Sequence, residues 1–311
     1  MKAMILSAGL GTRLRPLTLI RPKPLVPIFN QPLILLLLST LAQAGVSRVM
    51  ANTHHLADRL EAFAAVTDLP LPLTLRYEPE ILLTGGGLKN TADFWDDAPF
   101  VVINGDILFD FDLTGLIKAH VANGSLVTMA LHDHARYNNV LVNDQQRVVG
   151  IRGRNFAPGK RLLAYTGIQV INPELLDFLP SGPSDFIDTY ISLIASGSGL
   201  SAYVISGHYW SDIGSPGDYL QVHRDIMAGK VTGQMPPNGR VVIGQGSHLS
   251  DQAITKGLVS LGENVEVGAG CILEDVVIWD NVTVKPGARL ERAIVADGVT
   301  VTADLVDAAV A

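Results

Sequence analysis

One cysteine, Cys271, stands in 311 residues, so a disulfide framework and a cysteine-rich zinc site are both excluded. Charged residues make up 17% of the chain against 48% hydrophobic, a balance that buries a core and is foreign to disordered chains. No apolar run approaches the roughly 20 residues that a bilayer span needs. The most apolar, Pro32 to Leu38, reads as a buried helix with Pro32 in its first position and Gly45 at its end. The apolar stretch after Lys2 stops at Gly9 and Gly11 with no evident cleavage site, so the chain reads as cytoplasmic. Acidic residues are missing from positions 1–57, which carry six cations: Lys2, Arg13, Arg15, Arg21, Lys23 and Arg48. The net charge of −7 therefore divides into +6 for that segment and −13 for the remainder. The acidic total argues against a nucleic-acid partner, while the local cation excess suits a small anionic substrate.

Short apolar runs alternate with helical stretches through the first half. Ala3–Leu6, Arg48–Ala51, Leu73–Tyr77 and Phe100–Ile103 read as strands, and Pro32–Ala44, Leu56–Ala65 and Leu88–Phe94 as helices. This alternation predicts an α/β fold: a Rossmann-like mixed, mostly parallel sheet with helices on both faces. Ligands of such sheets bind beyond the carboxyl ends of the strands. Residues 113–230 elaborate the same domain, with strands at Leu126–Leu131, Val140–Val142, Ala164–Ile171 and Ala202–Ser206. Helices are expected at Leu175–Leu179, Ile187–Ser196 and Tyr219–Met227, but pattern alone does not order the strands.

Near residue 230 the chain changes character. Gly233–Gly239 holds two prolines and two glycines and suits a linker. Beyond it apolar residues recur every six positions: Leu261, Val267 and Leu273, then, after a slip of one, Ile278, Val284 and Leu290. That period predicts coils of a β-helix, each stacked on the last. The division expected is 1–232 for a catalytic domain and 240–311 for a hexapeptide-repeat β-helix.

The strongest motif is Leu6-Ser7-Ala8-Gly9-Leu10-Gly11-Thr12-Arg13-Leu14-Arg15-Pro16-Leu17-Thr18, completed by Pro22-Lys23-Pro24-Leu25. A glycine loop after a strand brings backbone N–H groups close to phosphate oxygens. Arg13 can fork two such oxygens and Lys23 supplies a compact cation. The loop is not a P-loop, since no Gly-Lys-Ser/Thr follows, and Leu14 stands where a dinucleotide fingerprint needs its third glycine.

This combination resembles the sugar-1-phosphate nucleotidylyltransferases, or nucleoside-diphosphate-sugar pyrophosphorylases, many of which append a left-handed β-helix. The resemblance covers nearly the whole chain. It implies transfer of a nucleoside monophosphate from a nucleoside triphosphate to a sugar 1-phosphate, with pyrophosphate leaving and Mg²⁺ required. Under it, Leu6, Ala8, Gly9, Gly11, Thr12 and Arg13 bind the nucleotide, and Arg13 and Lys23 are the catalytic cations. The loop Leu83-Thr84-Gly85-Gly86-Gly87-Leu88 passes the nucleobase and ribose; read by itself, it is a helix start capped by Thr84. Val102-Ile103-Asn104-Gly105-Asp106 and Tyr209-Trp210-Ser211-Asp212-Ile213-Gly214-Ser215-Pro216 match the segments whose aspartates hold magnesium, so Asp106 (also nucleotide-binding) and Asp212 are the expected metal ligands. Taken alone, Asp106 is a turn residue and Asp212 a cap for the helix at Pro216.

Thr166 and Gly167, in Tyr165-Thr166-Gly167-Ile168, match a segment that lines the sugar. Asn139 and Asp188 join them as sugar-phosphate candidates, although Asn138 and Asn139 equally suit a turn and Asp188 a solvated helix face. Many members carry Glu-Lys-Pro before this point; here the stretch is Gly150-Ile151-Arg152-Gly153-Arg154. That departure and the triple glycine look most like N-acetylmuramate-1-phosphate uridylyltransferases. The tail and Asp-Ile-Gly-Ser-Pro look like mannose-1-phosphate guanylyltransferases. Uracil and guanine lead as the base, and cytosine and thymine also stay open.

Other readings compete. His54 and His55 are adjacent and point different ways; His132 and His134 share a strand face without a third ligand, so all four read as surface or satisfied residues. Hexapeptide tails also serve acyltransferases, but His248 is the only histidine beyond residue 223. Relatives that bind ligands without turnover would be expected to lose the lysine or an aspartate, and Arg13, Lys23, Asp106 and Asp212 are all present. The tail's expected role is assembly: a β-helix leaves an open end, and a second subunit covers it, so a homo-oligomer is expected.

Overall fold

Ala3, Met4 and Ile5 are fully buried, as a strand lying inside a sheet requires. A computed structural model describes residues 1–151, 160–233 and 239–311. Arg152–Arg154 and most of the expected linker lie outside the described residues. Two compact units make up the chain: Met1–Gly9, Leu35–Ile107 and Phe111–Trp210 form the first, and Leu10–Ile34, Leu108–Asp110 and Ser211–Ala311 the second.

The first unit holds a nine-stranded mixed sheet. Its strands are β1 (Lys2–Leu6), β2 (Arg48–Thr53), β3 (Leu73–Tyr77), β4 (Phe100–Asn104), β5 (Val127–His132), β6 (Val140–Asn143), β7 (Val148–Ile151), β8 (Lys160–Ile171) and β9 (Leu200–Ile205). β1 lies between β2 and β4, and β3 flanks β2, all parallel. The twelve-residue β8 then runs antiparallel to β4, β5 and β6, and β9 returns parallel to β5. One strand serves three partners because its register breaks between Tyr165 and Gln169, where Gly167 takes φ +80°.

The helices are α1 (Leu33–Gln43), α2 (Ala57–Val66), α3 (Leu83–Lys89), α4 (Leu113–Asn123), α5 (Phe186–Ala195) and α6 (Pro216–Met227). α1 buries Ile34, Leu37, Leu38 and Leu41, a helical stripe, and Val46 N–H donates back to the Leu41 carbonyl just past it. Pro32 sits just ahead of α1, in a two-residue strand with Gln31. α3 starts at Leu83, not after the glycines, so the triple glycine lies inside a helix. Thr84 is not its cap: the hydroxyl donates to Asp185 and accepts from Phe186 N–H, at the start of α5. α4 has no counterpart in the apolar pattern; Asp112 caps it by accepting from Thr114 N–H at 2.8 Å.

In the second unit parallel strands stack in a seven-stranded and a four-stranded ladder. Leu261, Val267, Leu273, Ile278, Val284 and Leu290 all point inward, at 2% exposure or less, as the six-residue period requires. The slip in that period belongs to the repeat itself: Leu273 faces Leu290 and Ile278 faces Val295, each seventeen residues on, so a coil advances in steps of six, six and five. Ile254 faces Ile272, eighteen residues on, whereas Val259 faces Val276, seventeen on, because the register shifts between Lys256 and Val259. Cys271 is buried in this core, its thiol directed at the Lys285 carbonyl. Among the described residues no helix is long and apolar enough to cross a membrane.

α6 carries a buried histidine with a thermodynamic consequence. His223 Nδ1 donates to the Tyr219 carbonyl at 3.0 Å and Nε2 accepts from Phe29 N–H at 3.2 Å, which fixes the neutral tautomer. Burial pushes the ring's pKa down to about 4, against a smaller opposing effect of the Tyr219 carbonyl. The unfolded chain binds this proton near pH 6.5, so stability present above 6.5 is lost as pH falls toward 4. The expected loss is about 3 kcal/mol from this group. Urea unfolding at pH 7 and pH 4 measures it, and His223→Gln should remove that part of the slope. An unchanged slope in the variant refutes the assignment.

Candidate functional site

Five of the expected site residues lie in the second unit: Gly11, Thr12, Arg13, Lys23 and Asp212. Gly11 has φ +62°, a conformation that suits glycine, and opens the short turn Thr12–Leu14. A Cβ on Gly11 would stand 2.7 Å from Thr18 Cγ2 and 3.2 Å from Lys23 Cγ, so the loop backbone rests against the lysine stem. The Thr18 hydroxyl donates to the Gly11 carbonyl at 2.9 Å and closes the loop. Buried Leu14 and Leu17 anchor the segment, which leaves Thr12 and Arg13 exposed. The Arg13–Pro16 stretch includes a cis bond between Arg15 and Pro16.

Arg13 Nη2 lies 3.3 Å from Asp212 Oδ2. Arg13 is 60% exposed at its side chain and Asp212 15%, so the carboxylate is fixed and the guanidinium reaches solvent. Gly214 lies beside them: a Cβ there would fall 2.6 Å from Arg13 Nη1 and 2.9 Å from Asp212 Oδ2, so a side chain would displace the guanidinium from the carboxylate. The cap of α6 is Ser215, whose hydroxyl accepts from Asp218 N–H, so capping does not explain Asp212.

The other candidates lie in the first unit. Gly105 N–H donates to the Leu6 carbonyl at 2.8 Å, which sets Asn104-Gly105-Asp106 against the carboxyl end of β1. The bulge of β8 meets the same place, since a Cβ on Gly167 would stand 2.6 Å from Asn104 Nδ2. Leu6 and Asp106 are half-buried, Ala8 is buried and Gly9 exposed. Thr166 is fully buried, donates its hydroxyl to the Ala130 carbonyl, and lends its own carbonyl to Trp210 Nε1. Asn138 serves a turn, accepting from His134 N–H and donating to Asp133; Asn139, which is exposed, donates its N–H to Leu163. Asp188 stands on α5 beside a surface depression shared with Phe178, Ser192 and Leu193.

Gly85, Gly86 and Gly87 are buried, and protein atoms occupy the space beside each of them. Ser184 O lies 3.1 Å from a Cβ on Gly85, Gly182 O 2.2 Å from one on Gly86, and Asn52 Nδ2 2.8 Å from one on Gly87. Close packing within the unit thus requires small residues here before any ligand is considered.

A buried polar chain that sequence reasoning missed runs beside them. Asn52 Oδ1 accepts from Ser7 N–H, Asn52 Nδ2 donates to Glu78 Oε1 at 2.8 Å, and Glu78 Oε2 accepts from Leu82 N–H. Glu78 is fully buried. The chain ties the residue after β1 to the start of α3. The signal was available: Asn52 and Glu78 are polar residues at carboxyl ends of parallel strands, like Asp106.

His54, His132 and His134 contact the fold, but His132 Nδ1 and His134 Nδ1 are buried without a hydrogen-bond partner, so the expectation of satisfied rings holds only in part. His54 Nδ1 bonds the Glu78 carbonyl, His132 Nε2 the His208 carbonyl, and His134 meets the Trp210 ring edge-on at 5.6 Å. Among the described residues no group of three or more His, Cys, Asp or Glu could hold a metal ion.

Residues 2–229 match the Nucleotidyl transferase family model, and residues 231–306 the model of the GlmU-like C-terminal hexapeptide. The chain is 32% identical to mannose-1-phosphate guanylyltransferase 1 of Arabidopsis thaliana, over 89% of this chain and 79% of that protein. It is 29% identical to UTP--glucose-1-phosphate uridylyltransferase of Synechocystis, over 90% and 83%. A crystal structure of HddC from Yersinia pseudotuberculosis complexed with GMP-PN superposes with a TM-score of 0.61 at 25% identity, over 72% of this chain and 98% of that one. The chain belongs to the sugar-1-phosphate nucleotidyltransferases and carries a hexapeptide-repeat tail.

Proposed function

We propose that the chain joins a nucleoside monophosphate, from UTP or GTP, to a sugar 1-phosphate and releases pyrophosphate, with Mg²⁺ as cofactor. The observation that carries this reading is the arrangement in the second unit: a glycine loop resting on the Lys23 stem, with Arg13 held beside Asp212. The sugar phosphate attacks the α-phosphorus while the pyrophosphate departs, so the protein's task is positioning and charge neutralisation. N–H groups of Gly9–Thr12 and the Arg13 fork hold the leaving phosphates. Lys23 meets the charge that builds on the α-phosphate. Asp106 and Asp212 are hard oxygen donors, and such a pair suits Mg²⁺, which fills its remaining positions with phosphate oxygens and water. When bound, the ion supplies charge neutralisation on the triphosphate.

Gly85–Gly87 flank the base, and Thr166, Gly167, Asn139 and Asp188 contribute to the sugar side; buried Thr166 acts through its backbone and the placement of Gly167. Residues 1–232 form the catalytic domain and 240–311 the β-helix domain, through which copies assemble as a dimer or a multiple of it. The enzyme acts in the cytoplasm.

Pyrophosphate release tests the reading. The purified chain with Mg²⁺ is given UTP, GTP, CTP or dTTP, each with glucose, mannose or N-acetylmuramate 1-phosphate. Release is expected with UTP or GTP and one of the sugars. No release from any pair would favour a ligand-binding homologue without turnover.

A further inference from the structure

Arg21 stands two residues before Lys23, within the acid-free segment, and its guanidinium is fixed on three sides. Nε donates to Asp297 Oδ2 at 2.7 Å, Nη2 to Asp297 Oδ1 at 2.6 Å, and Nη2 also to Asp280 Oδ2. The guanidinium carbon lies 5.1 Å from the centre of the Trp279 ring. A bidentate, partly buried pair holds geometry better than a surface ion pair, because solvent competes less and two parallel bonds fix orientation.

The partners are themselves fixed. Asp280 Oδ1 accepts from Glu263 N–H at 2.7 Å, and Asp297 Oδ1 from Asp280 N–H at 3.0 Å, so each carboxylate also bonds the backbone of the preceding coil. Trp279 is 1% exposed and donates to the Tyr219 hydroxyl, which donates to the Pro27 carbonyl. Arg21 is therefore moored to the β-helix at a defined point.

Little can absorb movement between Arg21 and Lys23. Pro22 and Pro24 flank the lysine with fixed φ. The intervening turn is closed by Leu25 N–H to the Pro22 carbonyl at 2.8 Å and Val26 N–H to the Lys23 carbonyl at 3.1 Å. A Cβ on Gly11 would stand 3.2 Å from Lys23 Cγ, so the lysine stem lies close beside the loop. We propose that Arg21, gripped by Asp280 and Asp297 of adjacent coils, is a positioning residue that sets Lys23 and the glycine loop for phosphate contact. The β-helix thereby takes part in the transfer site of its own chain. The proposal rests on the phosphate-contacting roles given to Lys23 and Arg13.

The test uses the full chain, with wild type first taken through the substrate panel. Arg21→Met and the double variant Asp280→Asn/Asp297→Asn are expected to lower kcat about 100-fold, the scale of a misplaced reacting group, with KM for the triphosphate within about threefold. Arg21→Lys should recover part of the loss, since it restores charge without the fork. Amide hydrogen exchange of the ligand-free double variant should quicken over residues 17–26 and stay unchanged in β1 to β4. A structural staple alone would lower stability and leave kcat near wild type, and that result overturns the proposal. If wild type turns over no pair, the transfer reading fails, and exchange then decides the mooring: unchanged exchange at residues 17–26 overturns it.

Discussion

Lys23→Ala is expected to lower kcat by about three orders of magnitude, the upper range for removing one preorganised charge partner of a transition state. Charge on the α-phosphate is greatest as the bond to pyrophosphate breaks, so the loss should appear in kcat more than in KM. The fold should survive. The turn at Lys23 is closed by backbone bonds from Leu25 and Val26, and the side chain is only half-buried. Lys23→Arg should not restore the rate, because a planar fork does not reproduce the contact that a compact ammonium makes with a phosphate. Circular dichroism with steady-state pyrophosphate release checks both halves, and near-normal turnover in the alanine variant would sink the role given to Lys23.

Gly86→Ala has the largest effect expected on stability. By helix propensity alone the substitution should stabilise α3 by about 1 kcal/mol. Packing runs the other way and wins. A Cβ at this position would lie 2.2 Å from the Gly182 carbonyl oxygen, roughly 1 Å inside ordinary contact, and a backbone oxygen cannot rotate clear. Nor can the segment drift off, since the N–H groups of Gly85 and Gly86 both donate to the Ser184 carbonyl, at 2.8 and 3.1 Å. Relief means breaking those bonds, for a net loss of about 3 kcal/mol. Urea midpoints of the ligand-free proteins decide. A higher midpoint in the variant would show that glycine serves only the approach of a ligand.

Much of the first unit was legible because parallel strands buried on both faces read as continuous apolar runs. Phe100–Ile103 is such a run, and it is β4. The tail was legible for a different reason: inward positions of a coil repeat, so Leu261, Val267 and Leu273 announce themselves by spacing. What stayed hidden depended on distant partners. α4 begins at Leu113, after its cap Asp112, and buries only Leu113, Leu116 and His120, too sparse a stripe to show a helical period. The triple glycine looked like a loop because glycine is a poor helix former, yet neighbours at 182–185, 52 and 78 leave no space for side chains. Arg13 and Lys23 were visible through their motif, whereas Asn52 and Glu78 were not, because their meaning lies in each other. The grouping of Leu10–Ile34 with Ser211–Ala311 is a property of contacts that chain order does not express.

The column of the β-helix that holds Asp280 and Asp297 continues backward through Glu263, whose N–H donates to Asp280 Oδ1 just as Asp280 N–H donates to Asp297 Oδ1. Successive coils rise about 4.8 Å, so each side chain in this column occupies the level of one neighbour and no other. Inserting or deleting a coil before residue 280 would carry both carboxylates a full step past Arg21. A coil added after Val310 would shift neither. Growth of this tail is therefore permitted from one end only: its length can vary at the C-terminus, while the count of coils below Asp280 is fixed by a single arginine.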